Sequence, residues 1–559
     1  MKIVKRILVA FLILFCVLLA WFYSIVKVDP PSVNISDTTG IVRSISKDSV
    51  YYASGNWLKK NEFGIWEMYV EGSPFKRGFI NGVLSKEQVH KQEVIFVGRL
   101  DKMVPGRFYQ KFLTLVIGWF NRNLDESVPL ENQQEIYGVS LAASDEFSFI
   151  APNYQRILNY HAAHDIGHAM QNLNLVACTS VGLMGSRTSD GSILIGRNFD
   201  FYMGEEFAKE KIILFVNPDS GYKFMSVTWG GMTGILSGMN EKGLTITLNA
   251  AKSGIPSGAA TPVSIISRNI LQYSKNIKEA YQIASSYKSF VNESFMIGSK
   301  EDNKVFIIEK STDKTVLYTV DEDIITCANH YQDKEWKNDS LNISNIKENP
   351  TELRRQRLLE LVKPQQNITP EMLAGILRNK LGRNNQDIGM GNEEAINQFV
   401  AHHSIIFNPT KGLVWISANP YQLGAYIAYD LNKVFSQNKG LKDNKDIFER
   451  DIIIPADSFI YTKEFKELQY YKITSERIQD IIRSDGEGNL TDEEIQRFVK
   501  SNPNYFHTFM LLGDYMKSKK RYPQAISQYD KALKMNIPRK HDIDLLNERI
   551  IECNKNFKN

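Results

Sequence analysis

Cysteine is scarce in this chain of 559 residues, and its scarcity excludes a disulfide-built fold. The four cysteines are too few and too scattered for a disulfide framework, and none lies in a Cys-x-x-Cys or zinc-type spacing. An excess of charge of one sign is also lacking. The net charge is only +4, with no basic stripe interleaved with aromatic residues, which argues against a nucleic-acid partner. A hydrophobic content of 43% predicts an ordinary folded protein, and the length allows two or three domains.

One long apolar run stands at the N-terminus. Lys2, Lys5 and Arg6 precede an almost uninterrupted apolar stretch over residues 7–26. Twenty helical residues span about 30 Å, the thickness of a bilayer core. No small-residue cleavage site follows the run, so residues 1–30 are predicted to be an uncleaved signal anchor, with a cleaved signal peptide as the alternative. Because the basic end stays in the cytoplasm, we expect the remaining chain to be exported.

Arg197 and Asp200 follow Cys178 on a strand that is predicted to pair with the strand that Cys178 begins. The Asp190–Gly191 pair is a strong hairpin signal between two strand-like stretches. A two-residue turn there places Asp200 opposite position 181 and Arg197 opposite position 184. A guanidinium near a thiol favours the thiolate, which is the form that attacks carbonyl groups. The stretch therefore predicts an activated cysteine, with a buried structural cysteine as the alternative.

Three histidines precede this cysteine. His161, His164 and His168 have the spacing of one helix face. Histidine is a common metal ligand, so a metal site is one interpretation and would allow a metal-dependent hydrolase. A structural or substrate-lining histidine face is the default. We expect neither a metal nor another cofactor.

The region from Cys178 to about residue 435 alternates between blocks of strands and blocks of helices. Period-two stretches predict strands, and 3.6-residue periodicity predicts helices over 262–287, 353–362 and 370–378. Blocks of this kind indicate an α+β fold of packed antiparallel sheets with helical layers, rather than strict βαβ alternation.

Six motifs in a fixed order resemble one enzyme family. The motifs are Cys178-Thr179-Ser180, Gly196-Arg197-Asn198-Phe199-Asp200, Val227 to Met232, Ser237 to Leu244, Leu248-Asn249 and Thr326 to His330. Together they resemble the acyl-coenzyme A:6-aminopenicillanate acyltransferase-like cysteine peptidases, which are related to choloylglycine hydrolases and penicillin V acylases. The resemblance covers about residues 60–430. It implies an N-terminal-nucleophile hydrolase with a four-layer αββα sandwich.

This resemblance implies that the chain cuts itself before Cys178. Cleavage of the Ala177–Cys178 bond makes Cys178 the N-terminal residue of a new chain, and its α-amine then serves as the base. An α-amine titrates at a pKa of about 7.7–8.0, close to the working pH. The thiolate attacks an acyl carbonyl and forms a thioester, which water or an amine resolves. Residues 31–177 are then a prosegment, and residues 178–435 form the hydrolase domain.

The resemblance also assigns roles to five further residues. Arg197 holds the thiolate or the substrate, and Asp200 orients the new ammonium. Asn249, through its backbone or side chain, and Asn329, through its side-chain amide, supply the oxyanion hole. Arg354 resembles the family's late active-site arginine, although neighbouring arginines leave its register open. Neutral amides suit an oxyanion because they stabilise negative charge without titrating.

The C-terminal part is predicted to be a separate module. Residues 436–500 indicate a linker or extension, in which a loop resembling a calcium site is better explained as a helix capping box at Thr491 and Glu494. Residues 501–559 carry the small and aromatic positions of one tetratricopeptide-like repeat: Gly513, Ala525, Tyr529, Ala532 and Pro538. One repeat cannot bury its own core, so it must pack on the catalytic domain, on another chain or in a short array.

Three functions therefore stand open from the sequence. The first is a membrane-anchored hydrolase of a small-molecule or peptide acyl amide, with Trp229 as a candidate substrate-binding residue that could instead belong to the core. The second is an acyltransferase that passes the same acyl group to an amine. The third is a non-catalytic scaffold that binds a protein partner through the helical tail.

Overall fold

The computed structural model describes residues 2–103, 118–119, 121–169, 176–254, 258–437, 441, 444–484 and 486–558. Within these ranges the helices are α1 (Lys2–Val26), α2 (Pro74–Leu84), α3 (Lys86–Met103), α4 (Leu124–Ser127), α5 (Leu130–Ser140), α6 (Asn153–Ala169), α7 (Glu205–Lys209), α8 (Val263–Tyr273), α9 (Ile277–Ser286), α10 (Ser340–Glu348), α11 (Thr351–Val362), α12 (Pro370–Leu377), α13 (Leu431–Gln437), α14 (Lys463–Arg483), α15 (Asp492–Ser501), α16 (Phe506–Ser518), α17 (Tyr522–Leu533) and α18 (Lys540–Lys558).

The strands form two sheets. They are β1 (Ser44–Ile45), β2 (Tyr51–Ala53), β3 (Asn56–Lys60), β4 (Trp66–Gly72), β5 (Val176–Leu183), β6 (Leu194–Phe201), β7 (Ile212–Pro218), β8 (Phe224–Thr228), β9 (Ser237–Asn240), β10 (Leu244–Ala250), β11 (Glu293–Ser299), β12 (Lys304–Lys310), β13 (Thr315–Tyr318), β14 (Ile324–Cys327), β15 (Ala401–Asn408), β16 (Leu413–Ser417) and β17 (Tyr426–Asp430). The larger sheet has the order β1-β2-β3-β4-β7-β8-β9-β10-β11-β12-β13, and the smaller has the order β14-β5-β6-β15-β16-β17.

The two sheets pack against each other, and each also packs against helices. Phe215 and Met296 of the larger sheet share one buried cluster with Ile405 of the smaller sheet. On its other face the larger sheet buries apolar side chains against α2, α8 and α9. The smaller sheet buries its outer face against α11 and α12. Because strand side chains alternate between faces, a central strand such as β11 contributes Phe295 to one of these clusters and Met296 to another.

The segment before Cys178 is built into the larger sheet. Strands β1 to β4 form one edge of it, and β4 pairs in parallel with β7 over seven residue pairs, from Trp66↔Ile212 to Gly72↔Pro218. The predicted prosegment therefore shares a continuous hydrogen-bonded sheet with the predicted hydrolase domain.

The predicted hairpin register before Asp200 is wrong. Strand β5 ends at Leu183 and β6 begins at Leu194, because the connection contains a 3-10 turn over Gly185–Arg187 in addition to the Asp190–Gly191 bend. Arg197 therefore lies opposite Ser180, not Met184, and Asp200 lies opposite Ala177, not Val181. The shift is by an even number of residues, so every side chain keeps the sheet face that the prediction gave it.

Helices α14 to α18 share a C-terminal core. It contains Leu468, Phe498 and Leu512, so helices that precede residue 501 contribute to it. A Cβ at Gly513 would lie 2.3 Å from the ring of Tyr529, so the close approach of α16 and α17 requires glycine there. The predicted capping box is confirmed: the Glu494 amide donates to Thr491 Oγ1, and the Thr491 amide donates to Glu494 Oε2 at 2.8 Å.

The N-terminal helix differs from the others in its surface. Of the helices that the described residues form, one, over Val4–Val26, is long and apolar enough to cross a membrane. Its apolar side chains are exposed, as at Phe11 and Leu8. A membrane anchor and a signal peptide both have these properties.

Candidate active site

The sulfur and the backbone nitrogen of Cys178 are each held by a predicted site residue. Arg197 Nη2 lies 3.3 Å from Cys178 Sγ. The Cys178 amide donates to Asn329 Oδ1 at 3.1 Å. Strand β14 ends at Cys327, opposite Ser180, so the Asn329 side chain continues the hydrogen bonding of β5 one step beyond the ladder.

Arg197 reaches the thiol from a fixed position. Its Nη2 also donates to the Leu248 carbonyl at 2.6 Å, and its Nη1 donates to Ser237 Oγ at 2.7 Å. The guanidinium lies over the Phe199 ring, 4.5 Å from its centroid. Phe199 is the cross-strand partner of Cys178, so the pairing of β5 with β6 brings thiol and guanidinium to one sheet face.

The expected thiolate is not the favoured form in the intact chain. Burial raises the pKa of the Cys178 thiol to about 11, and the Arg197 guanidinium opposes that rise without cancelling it. The carboxyl groups of Glu293 and Asp200 raise the pKa further. The thiol is therefore protonated at neutral pH, because desolvation outweighs one opposite charge.

Asp200 lies on the opposite face of β6 from Arg197. It is the cross-strand partner of Ala177, beside the peptide bond predicted to be cut. Neither carboxyl oxygen has a hydrogen-bond partner within the described part of the chain. Burial raises the pKa of Asp200 to about 7, while Arg354 and then Arg197 act to lower it.

Arg354 and the backbone amide of Cys178 bind the same oxygen of Asn329. Its Nη2 donates to Asn329 Oδ1 at 2.8 Å, so this oxygen receives both the arginine and the Cys178 amide. The Asn329 amide group donates to the Ala250 carbonyl at 2.9 Å. In the intact chain the predicted oxyanion donor is therefore already engaged.

The other two predicted residues, Asn249 and Trp229, contact groups other than the thiol. The Asn249 side chain accepts from Ser180 Oγ at 2.8 Å and donates to the Cys327 carbonyl at 3.3 Å. Trp229 is half-buried and stacks on Phe201, with ring centroids 5.9 Å apart. Trp229 thus belongs to an aromatic cluster that extends from Phe199 through Phe201.

The histidine face is structural where the structure describes it. His161 Nδ1 donates to the Ile157 carbonyl at 2.9 Å, and His161 Nε2 accepts from the Thr233 amide at 2.9 Å. Burial lowers the pKa of His161 to about 4, so the ring is neutral. Both nitrogens are engaged by protein groups, which leaves neither for a metal. The side chains of His164 and His168 lie outside the described part, and the residues inside it form no group of three His, Cys, Asp or Glu that could hold a metal.

The motifs assign no role to three polar groups around this site. His403 and Ser237 contact Arg197, and the buried Glu293 side chain raises the pKa of the thiol. Both Glu293 oxygens lack a partner among the described residues. The signals were present: the His402-His403 doublet lies near the start of a strand, and the charged Glu293 begins a strand whose centre is apolar.

Comparison with known proteins identifies the family to which this arrangement is related. Residues 186–418 match the model of the family described as acyl-coenzyme A:6-aminopenicillanic acid acyl-transferase. The predicted family resemblance is confirmed. The match includes Arg197, Asn329 and Arg354, while Cys178 lies just before it.

Curated relatives match the chain at low identity. An uncharacterized protein of Archaeoglobus fulgidus is 24% identical over 335 residues, covering 52% of this chain and 53% of the relative. Protein dcd1B of Dictyostelium discoideum is 24% identical over 268 residues, covering 45% and 51%. The chain thus spans about half the length of these relatives.

Two solved structures are also similar. The N-acylethanolamine-hydrolyzing acid amidase ortholog of Caenorhabditis elegans has 19% identity and a TM-score of 0.30, covering 42% of this chain and 93% of that one. A mutant conjugated bile acid hydrolase of Clostridium perfringens has 15% identity and a TM-score of 0.31, covering 46% and 93%.

Proposed function

We propose that this chain is a cysteine N-terminal-nucleophile amidohydrolase that cleaves an acyl amide through a thioester on Cys178. One observation carries the proposal: the two atoms that this chemistry needs, the nitrogen and the sulfur of Cys178, are held by Asn329 and Arg197 respectively. A merely structural buried cysteine needs neither contact.

The proposed activation step is cleavage of the chain before Cys178. The thiol attacks the Ala177 carbonyl carbon, and the bond from that carbon to the Cys178 nitrogen breaks as the nitrogen takes up a proton. Water then hydrolyses the thioester, releasing the Ala177 carboxylate and restoring the thiol. The new α-amine lies beside the carboxyl of Asp200, because Ala177 and Asp200 are cross-strand partners.

Turnover uses the groups that activation leaves in place. The α-amine takes the thiol proton, and the thiolate attacks the acyl carbonyl of the substrate. Arg197 stabilises the sulfur anion, while Asn249 and Asn329 are the proposed oxyanion donors. The leaving amine departs with a proton, and water resolves the thioester to a carboxylic acid. Trp229 is the proposed contact for the acyl group.

Acyl transfer is the second candidate, favoured by the description of the matching family. The two reactions share the thioester on Cys178 and differ only in whether water or an amine resolves it. Adding a free amine to the assay distinguishes them, because a transferase forms a new amide and a hydrolase forms the acid.

The remaining parts of the chain complete this proposal. We propose that the two sheets and their helical layers form the αββα sandwich, with residues 31–177 as prosegment and 178–435 as hydrolase domain. Helix α1 is the proposed anchor or signal, which places the site on the exported side. The segment 436–500 is the proposed extension, and residues 501–559 the tetratricopeptide-like module with a protein partner.

Hydrolysis of a panel of chromogenic acyl amides tests the proposed function. The wild-type chain is expected to release the amine, and Cys178→Ala is expected to lose at least about 10³-fold of the rate, as removal of a nucleophile does. Cys553→Ala, which removes a buried thiol of the C-terminal helices, is the matched control and is expected to retain the rate. Equal rates for Cys178→Ala and the wild type would contradict the thioester mechanism. A folded wild-type chain without turnover that still binds a protein would favour the scaffold.

A further inference from the structure

The guanidinium that contacts Cys178 also contacts His403, which is one of two buried histidines at the start of β15. Arg197 Nη1 lies 3.3 Å from His403 Nε2, and Ser237 Oγ lies 2.9 Å from the same nitrogen. His403 Nδ1 lies 2.9 Å from His402 Nδ1. All four residues are buried, so solvent does not compete for these contacts.

A bulge in β15 brings the two rings together. The pairing of β15 with β6 runs Ala401↔Asp200 and then His403↔Phe199, which leaves His402 as an extra residue. In a regular strand, consecutive side chains point to opposite faces, whereas a bulge re-aims one of them. His403 thus lies across from Phe199, on the face that carries Arg197, and His402 is brought beside His403.

The contacts fix which ring nitrogen carries each proton. Burial lowers the pKa of both histidines well below the usual value, so both rings are neutral, with one donor and one acceptor each. An arginine can only donate, so His403 Nε2 must accept. His403 Nδ1 therefore carries the proton and donates to His402 Nδ1. The proton of His402 then lies on Nε2.

The N–H group at His402 Nε2 lies among aromatic rings. His402 Nε2 has no oxygen or nitrogen partner among the described residues. The ring centroid of His402 lies 5.4 Å from that of Trp229 and 5.7 Å from that of Phe207. The hydrogen bonds therefore run in one direction: Arg197 donates to His403, and His403 donates to His402. The N–H of His402 then points into an apolar surrounding.

We propose that His403, supported by His402, is a positioning residue that holds the Arg197 guanidinium against the thiol of Cys178. The inference rests on the proposed function of Cys178. Ser237 and His403 engage Nη1 and the Leu248 carbonyl engages Nη2, so rotation of the guanidinium away from the sulfur would break all of these bonds. A lone arginine at this place would have no such restriction.

Other titratable groups lie near the Cys178 thiol and the two histidine rings, and the variants that test the proposal leave these groups unchanged. The groups that face Cys178 are Arg197, Glu293, Asp200 and Cys327. Those that face the two histidines are Arg197 and Lys211. Lys211 is buried and donates to the Ser417 carbonyl at 3.2 Å. A change of His403 therefore acts on the thiol through Arg197.

The test is the pH dependence of Cys178 alkylation, followed by mass spectrometry of the peptide that contains it, in His403→Leu and His403→Gln. Leucine removes the acceptor for Arg197, whereas the glutamine oxygen can replace Nε2. We expect His403→Leu to move the midpoint of alkylation up by about one pH unit, lowering the rate at neutral pH about tenfold. We expect His403→Gln to restore most of the wild-type rate.

A second pair of variants keeps the test decisive if His403→Leu does not fold. His402→Asn retains an acceptor for His403 Nδ1, and His402→Val removes it, so only the valine variant is expected to raise the midpoint. A loosened core would instead expose the thiol and speed alkylation. Wild-type profiles in the leucine and valine variants, or equal impairment in the glutamine variant, would overturn the proposal. Failure of the proposed function is separate, because it shows in the wild type as a chain that neither processes itself nor hydrolyses acyl amides.

Discussion

At Cys178, burial acts on the thiol more strongly than the neighbouring guanidinium does. The pKa of the thiol is raised to about 11 in the intact chain, although Arg197 is in contact with it. The side chain is also 1% exposed, so little of the thiol is open to a substrate. These properties fit the proposal that the intact chain is a latent form. Cleavage before Cys178 would add a base and a free chain end at this point.

Asp200 gives a prediction about stability and pH. Its pKa is raised from 3.8 to about 7, chiefly by burial, so the folded chain holds a proton there that the unfolded chain has released. The stabilising contribution is complete below pH 3.8 and is lost as the pH rises through about 7. Asp200→Asn is thus expected to increase the free energy of unfolding at alkaline pH by a few kcal/mol, at about 1.4 kcal/mol per pKa unit, with no gain in acid.

Denaturant unfolding at several pH values measures this effect in the unprocessed Cys178→Ala background. Asp190→Asn is the matched control, because the ion pair with Lys411 and the hydrogen bond from Ser192 lower the pKa of Asp190 to about 2. The pH dependence of the Asp190 contribution has the opposite sign, because this stabilising contribution is present at alkaline pH and is lost in acid. An Asp200→Asn variant that is less stable than its parent at alkaline pH would show that the carboxylate is stabilised by the fold.

Motifs point to candidate residues for the site, whereas they do not give the contacts of those residues. Arg197 and Asn329, which the motifs assign to the site, both contact Cys178. The roles of His403 and Ser237 depend on a bulge and on strands that lie far apart in sequence. Hydrophobic periodicity carries no information about either.

At the scale of elements, strand positions were predictable and the lengths of connections were less so. The strands predicted between Cys178 and about residue 435 are present, for example β13 over Thr315–Tyr318. The predicted helix over 262–287 is two helices, because Asn276 caps a new one by accepting from the Glu279 amide. The hairpin before Asp200 was misjudged because the Asp-Gly signal does not report the 3-10 turn that precedes it. Turn chemistry is local, and register depends on total loop length.

The parallel pair β4–β7 predicts the behaviour of the processed chain. Seven residue pairs join the two strands, and β4 places Met68 and Val70 in the core shared with α8 and α9. We expect the two fragments to remain associated after cleavage, because separating them would expose this core to water.

Size-exclusion chromatography measures this association. The two fragments are expected to elute together in buffer and to separate in denaturant. Cys178→Ala is the control, since a chain that does not cut itself stays a single species in both. Fragments that separate in buffer would show that the N-terminal segment is held only by the peptide bond.

At the scale of the whole molecule, the C-terminal helices are joined to the loop that leads into β15. Asn502 accepts from the Met390 amide at 3.0 Å and donates to the Met390 carbonyl at 2.7 Å. A Cβ at Gly389 would lie 2.5 Å from the backbone of Tyr505, so no larger residue fits there. The C-terminal helices are therefore packed on the part of the chain that precedes them.

This contact predicts an effect on global stability. Asn502→Ala removes both hydrogen bonds and leaves two backbone groups of the half-buried Met390 without these partners, so we expect a loss of about 1–3 kcal/mol in the free energy of unfolding. Asn504→Ala is the matched control, because Asn504 is exposed and contacts Asp387 at the surface. Its effect is expected to stay within about 0.5 kcal/mol. Denaturant unfolding compares the two, and equal effects would show that the Asn502 contact does not join the parts.

The most direct measurement is intact mass and N-terminal sequencing of the purified full chain beside Cys178→Ala. Autocleavage by Cys178 predicts two fragments in the wild type, one ending at Ala177 and one beginning at Cys178, and a single uncut chain in the variant. A wild-type chain that stays intact under every condition of pH and time, or the same cut in Cys178→Ala, would contradict it.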